Sequence, residues 1–150
     1  MARLTTYSVK LNGDRISELV KEYAINYDNT KIDTPRRAAE ILQHVFDAGN
    51  LAQENFWVIS LDGGRKVNGL FTVTTGTLLS SLVHPREVFQ RAILCGAASI
   101  IIAHNHPSGN LEASEQDREV TKRIRQSGEL LGIRLDDHII IGGDEFASAA

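Results

Sequence analysis

The segment that most constrains the fold is Ala98 to Ala103, a near-continuous apolar run. Its six residues are too few for a core helix, and it lacks the alternation of a strand with one wet face. It reads as a central strand buried on both sides, which requires a sheet with helices packed on each face. A chain of 150 residues can bury such a core in one compact domain without metal or disulfide staples.

The neighbouring segments supply the layers. A short strand is expected at Tyr7–Leu11. Ile16, Leu19, Val20 and Tyr23 recur at helical spacing and predict a helix from Asp14 to Tyr23. Asn26 to Asp33 is polar and reads as a linker. Thr34 and Pro35 open a second helix as cap and first residue, and its apolar stripe is Ala38, Ala39, Ile41, Leu42, Val45 and Phe46. Gly49 is expected to end it. Glu54–Leu61 and Lys66–Thr75 read as strands joined by the turn Asp62-Gly63-Gly64. Pro85 starts a helix to about Cys95, and Ser114 caps another to about Gly128. Ile133–Ile141 is a last strand, stopped by Gly142-Gly143. The order is that of a mixed α/β layer fold. The expected division is residues 1–33 as an N-terminal extension with a short helix, and residues 34–150 as the main domain.

Composition excludes several classes. The net charge is -3, so generic affinity for nucleic acid is not expected, and Lys31, Arg36 and Arg37 read as a solvated helix start. Cys95 is the single cysteine, which rules out an intrachain disulfide and a cysteine-rich zinc site; its apolar surroundings predict a buried, inert thiol. Met1 to Lys10 lacks the apolar core of a signal peptide, and no stretch approaches the ~18 apolar residues of a membrane span. A cytoplasmic protein is the expectation, and the apolar strands make a homodimer a reasonable one.

The chemistry concentrates after the central strand. His104-Asn105-His106-Pro107-Ser108-Gly109 is followed by Ser114-Glu115-Gln116-Asp117. Two residues apart on an extended chain, His104 and His106 point to the same side. Asp117 falls in the first turn of the next helix, where side chains lean back toward the helix N-terminus and thus toward the histidines. Two imidazoles and a carboxylate suit one Zn²⁺ and leave a fourth position for a water to be activated. Such a water needs a proton acceptor, and Glu54, at the start of an apolar strand, is the candidate. Ser114 is the candidate to steady an oxyanion. Each has a plainer reading: Ser114 and Asp117 also form an S-x-x-D helix cap, and by itself Glu54 is one glutamate among many.

Val83-His84-Pro85-Arg86-Glu87, the His104–Gly109 segment and Asp137-His138-Ile139-Ile140-Ile141-Gly142 resemble the RadC-like family of the JAMM/MPN-plus (Mov34) superfamily. The resemblance runs from about Thr34 to Phe146. It implies a cytidine-deaminase-like JAMM domain, a curved mixed β-sheet flanked by helices. It also implies zinc ligands at His104, His106 and Asp117, a general base at Glu54 (within Glu54-Asn55-Phe56) and a hydroxyl at Ser114. Residues 1–33 are too short for the helix-hairpin-helix domain that many such chains carry. Ala113 and Asp136 depart from the family, which often has Pro and an apolar residue there. His84 is expected to be a turn residue. His138 is expected to be structural, satisfied by its Asp neighbours, or alternatively to lie near the metal.

The activity implied is that of a zinc-dependent metallohydrolase, a peptidase or isopeptidase acting on a peptide or protein substrate that the sequence does not specify. The alternative is a protein associated with DNA repair or recombination, or an interaction protein, whose zinc only braces a non-catalytic domain. Thr72–Val83 and residues 1–33 are the segments expected to shape a substrate groove.

Overall fold

The apolar run becomes strand β5 (Ser99–Asn105), in which all seven residues are buried. The computed structural model describes residues 2–76 and 83–150. In it β5 pairs antiparallel with β3 (Glu54–Leu61) and parallel with β6 (Arg134–Gly142). Outside them lie β1 (Ala2–Leu11), β2 (Ser17–Tyr27), β4 (Val67–Gly76) and β7 (Glu145–Ser148). The order is β2-β1-β4-β3-β5-β6-β7, a seven-stranded mixed sheet.

Alternation along the strands sorts the core into two layers. Trp57, Ile59, Ile101, Ala103, Ile139 and Ile141 pack against helix α1 (Pro35–Phe46). Phe56, Val58, Ile100, Ile102 and Leu135 pack against α2 (Pro85–Cys95) and α3 (Glu115–Leu131). Each fully buried aliphatic side chain of this kind contributes about 1.5–3 kcal/mol relative to exposure. The α/β architecture expected from the central strand is therefore the one observed.

One irregularity in β6 decides which way its side chains face. Ile100 pairs with Leu135 but Ile101 pairs with Asp137, so Asp136 is an extra residue. This β-bulge lets both Leu135 and His138 face α3, which strict alternation would forbid. The Asp136 carboxylate is held by Arg65 at 3.0 Å, Arg134 at 2.6 Å and Ser99 Oγ at 2.7 Å. These contacts account for an acid where an apolar residue was expected.

The N-terminal region corrects the sequence reading. Asp14–Tyr23 is not helical: Asn12 Oδ1 accepts from the Asp14 and Ile16 amides in a tight turn, and β2 follows. Asn12-Gly13 is a hairpin signal, and Leu19, Lys21, Tyr23, Ile25 and Tyr27 also fit a period of two. The strand expected at Tyr7–Leu11 starts at Ala2 and pairs with β2 along its length. The expected linker is partly strand, and its Ile32 is buried with its amide bonded to the Arg65 carbonyl. Helix α1 ends at Asp47 in the left-handed region, before Gly49, where a Cβ would meet the Gly143 carbonyl oxygen at 2.0 Å. β6 ends at Gly142 as expected, but it is not the last strand, because the chain turns there into β7. Of the segment Thr72–Val83, Thr72–Gly76 belongs to β4, while residues 77–82 lie outside the described residues.

Candidate metal centre

The end of β5 and the start of α3 bring the three expected ligands together. His104 Nε2 lies 2.9 Å from His106 Nε2 and 3.3 Å from Asp117 Oδ1, and His106 Nε2 lies 3.3 Å from Asp117 Oδ2. A tetrahedral zinc site with bonds of ~2.0–2.2 Å has ligand–ligand edges of ~3.3–3.5 Å; the two carboxylate distances are of that length, each to a different oxygen, and the distance between the two imidazoles is shorter. His104 and Asp117 are buried and His106 is half-buried.

Proton positions sharpen the point. His106 Nδ1 lies 2.6 Å from the Asn110 carbonyl, which can only accept, so Nδ1 carries the proton and Nε2 of the neutral ring presents a lone pair. His104 Nδ1 faces His138 at 2.8 Å, leaving Nε2 as the atom turned inward. Two imidazole nitrogens and a carboxylate thus converge within hydrogen-bond distance, an arrangement that repels itself unless a cation or protons lie between. His104, His106 and Asp117 could hold a metal ion, and the donor set fits zinc.

Backbone geometry fixes these positions. The His106 amide donates to the Ile141 carbonyl at 2.8 Å, which extends the β5–β6 pairing past the strand end. A Cβ at Gly142 would meet the Gly109 carbonyl oxygen at 2.6 Å, so the loop lies directly on the end of β6. The helix cap is also present. Ser114 Oγ accepts from the Asp117 amide at 3.0 Å and Asp117 Oδ2 accepts from the Ser114 amide at 2.9 Å. Cap and ligand are therefore not competing readings, because one carboxylate serves both. Burial works to raise the pKa of the Asp117 carboxyl, but its bonds to His104 and His106 prevail and hold it far below the usual carboxylate range. The bond to Asp117 pushes His106 up against a desolvation that works to lower it, and the Asn110 carbonyl and the Asp117 and Glu54 charges add to the rise.

Glu54 opens β3 on the same sheet face as Phe56, whose partner across the sheet is His104. Carrying that register on by two residues sets Glu54 opposite His106, in keeping with its charge acting on that ring. Asn105 was missed in the sequence because it separates two ligands and has no chemistry of its own. Its side chain points away from them: Oδ1 accepts from the Asn55 amide at 2.6 Å and Nδ2 donates to the Gln53 carbonyl at 3.0 Å. It therefore grips the main chain on both sides of Glu54.

Ring contacts complete the setting. Phe56 stacks on His104 with centroids 6.3 Å apart and meets His138 edge-on at 6.1 Å. His138 is 1% exposed, and its side chain is bonded to His104 and Thr121 rather than to the Asp neighbours. Asp137 instead accepts from the His138 amide and Ser148 Oγ. Desolvation, reinforced by the His104 charge, pushes His138 down to about 3. His84 is exposed at the N-cap of α2 and stands outside the cluster. Cys95 is half-buried rather than fully buried, and burial pushes its thiol up. Among the described residues no helix is long and apolar enough to cross a membrane.

Comparison with known proteins agrees with this geometry. The family described as the RadC-like JAB domain matches residues 32–150. A UPF0758 protein of Clostridium beijerinckii is 43% identical over 137 residues, which is 89% of this chain and 58% of the relative. One from Bacillus licheniformis is 48% identical over 121 residues, 81% of this chain and 53% of the relative. One from Rubrobacter xylanophilus is 50% identical over 98 residues, 65% of this chain and 43% of the relative. The chain spans about half the length of these curated relatives, and their names state no activity.

Proposed function

The chain belongs to the RadC-like JAB domain family, and from that premise we propose that it is a zinc-dependent hydrolase, a peptidase or isopeptidase. The observation that carries this reading is the convergence of His104 Nε2, His106 Nε2 and the Asp117 carboxylate at 2.9–3.3 Å. When bound, zinc would lower the pKa of a water to about 7 and polarise a substrate carbonyl.

The chain's own residues do the rest. Glu54 accepts a proton from the attacking water and returns it to the leaving nitrogen. The grip of Asn105 on Gln53 and Asn55 sets the main chain from which Glu54 reaches. Ser114 Oγ accepts from the Asp117 amide and so keeps its own proton to donate to a developing oxyanion. The substrate is a peptide or isopeptide bond in an extended segment delivered to the rim where β3 begins and β5 ends.

The test is metal analysis of protein purified without a histidine tag, followed by cleavage of peptide and isopeptide libraries. Expected are about one zinc per chain, and a Glu54→Gln protein that keeps its zinc and loses cleavage by ~10²–10⁴-fold. Cleavage unchanged by Glu54→Gln refutes the assignment of the base. A stoichiometric zinc with no cleavage of any library would favour a bracing metal in a non-catalytic domain.

A further inference from the structure

His138 and Thr121 are buried polar residues on the site face that the proposed reaction does not use. Their hydrogen bonds can be followed from a fixed end. The main-chain carbonyl of Asp117 can only accept. Thr121 Oγ1, one helical turn later, lies 3.0 Å from it and donates its single proton there. The same oxygen lies 2.5 Å from His138 Nδ1 and must accept from it. With its proton on Nδ1, the neutral His138 ring offers a lone pair at Nε2, 2.8 Å from His104 Nδ1. His104 Nδ1 therefore donates, and His104 Nε2 carries the lone pair turned toward His106 and Asp117. The opposite direction would spend the single Thr121 proton on His138 and give up the bond to the Asp117 carbonyl.

We propose that Thr121 and His138 are positioning residues: a one-way hydrogen-bond chain, anchored on the main chain of Asp117, holds His104 in the tautomer and ring orientation that bind metal. The inference rests on the reading of His104, His106 and Asp117 as a metal centre. Partners of this kind, which bond the far nitrogen of a ligand histidine, commonly change metal affinity by ~10–100-fold when removed. Here the chain returns to a second ligand residue, so displacement of α3 would disturb His104 and Asp117 together. The ring of Phe56, stacked on His104 and edge-on to His138, limits the other orientations open to either imidazole.

Two measurements test this. Long-range ¹H–¹⁵N NMR of the histidine rings, on metal-stripped protein at mildly alkaline pH, reads the tautomers directly. The expected result is a protonated Nδ1 on both His104 and His138, and a protonated Nε2 on either ring overturns the proposal. Chelator competition then measures zinc affinity. Thr121→Val is expected to bind zinc ~10–100-fold more weakly, and Thr121→Ser to restore parent affinity. A purely structural role would lower thermal stability in Thr121→Val while leaving affinity and tautomers unchanged, and that result overturns the proposal. Should Thr121→Val not fold, the ring spectra of the parent and of Thr121→Ser decide. A parent that takes up no zinc refutes the metal centre and the positioning role with it. A parent and a Thr121→Val protein that bind zinc equally refute the positioning role alone.

Discussion

All seven residues of β5 are buried, whereas no residue of β2 is. Around β5 the buried polar side chains His104, Asn105, Asp117, Thr121 and His138 each have a hydrogen-bond partner. The β1–β2 hairpin is held mainly by its own ladder, and β1 meets the sheet in register only at Thr6 and Leu70. Water can stand in for a lost partner in the hairpin but not beside β5, where an unpaired polar group keeps its full desolvation cost. Precision in this molecule therefore belongs to the β5–α3–β6 region, and tolerance to the hairpin.

Substitutions that separate the two regions should give graded effects. The largest is expected from Asp117→Ala, which removes a ligand and half of a helix cap together: zinc uptake is lost in metal analysis while the protein still folds. His104→Ala should do the same. Full zinc uptake by either protein would break the contrast at its strongest point.

Acid should act next, and through the site region. Folded His138 is pushed down to about 3 from 6.5, so between those values the unfolded chain binds a proton that the folded chain refuses. Its contribution is complete above 6.5 and is lost as pH falls toward about 3. Asp117, also depressed, acts in the same sense once pH passes below its ordinary 3.8. His106 is raised and acts oppositely, its contribution being lost as pH rises through its folded value. The urea midpoint of metal-stripped protein should fall as pH drops below 6.5; a midpoint that stays level or rises shows His138 is not held neutral.

Smaller effects complete the series. Asn105→Ala should cost about 1–3 kcal/mol in urea unfolding, because it takes from the buried Asn55 amide its Asn105 partner, while the Gln53 carbonyl keeps the Asn55 side chain. Ile16→Ser, at a residue 62% exposed in the hairpin turn, should stay within ~0.5 kcal/mol of the parent with zinc affinity unchanged. If the hairpin change costs as much as the Asn105 change, the division into a precise and a tolerant region fails.

The same contrast explains what could be read from the sequence. Ala98–Ala103 carried its strand assignment because burial on both faces leaves one signal, and the starts of α2 and α3 were marked by Pro85 and Ser114, whereas α3 runs past the expected end at Gly128 to Leu131. The cluster of His104, His106 and Asp117 was legible because its spacing is local, two residues apart at a strand end and then across one loop to the first turn of α3. The hairpin was not, because half-exposed residues satisfy a period of two and a period near four at once. Asn105 and Thr121 were illegible for a different reason: their partners lie 50 or more residues away, or on a strand whose phase is set by a bulge. The β3 start gave Glu54 a place in the sequence but no direction; the pairing of Phe56 with His104 supplied it.

The extra residue at Asp136 makes the metal centre depend on a count as well as on a composition. Two residues stand between Leu135 and His138, and both face α3 only because the bulge absorbs one of them. An added residue that the bulge did not absorb would reverse the phase of the rest of β6, turning His138 toward α1 and Ile139 toward the imidazoles, though no candidate ligand had been altered. Deleting Asp136 would leave Leu135 and His138 on one face by ordinary alternation and would remove only the bulge and the carboxylate that Arg65, Arg134 and Ser99 hold. In this strand phase is the stricter constraint, and an insertion after the bulge should be more harmful than a substitution at position 136.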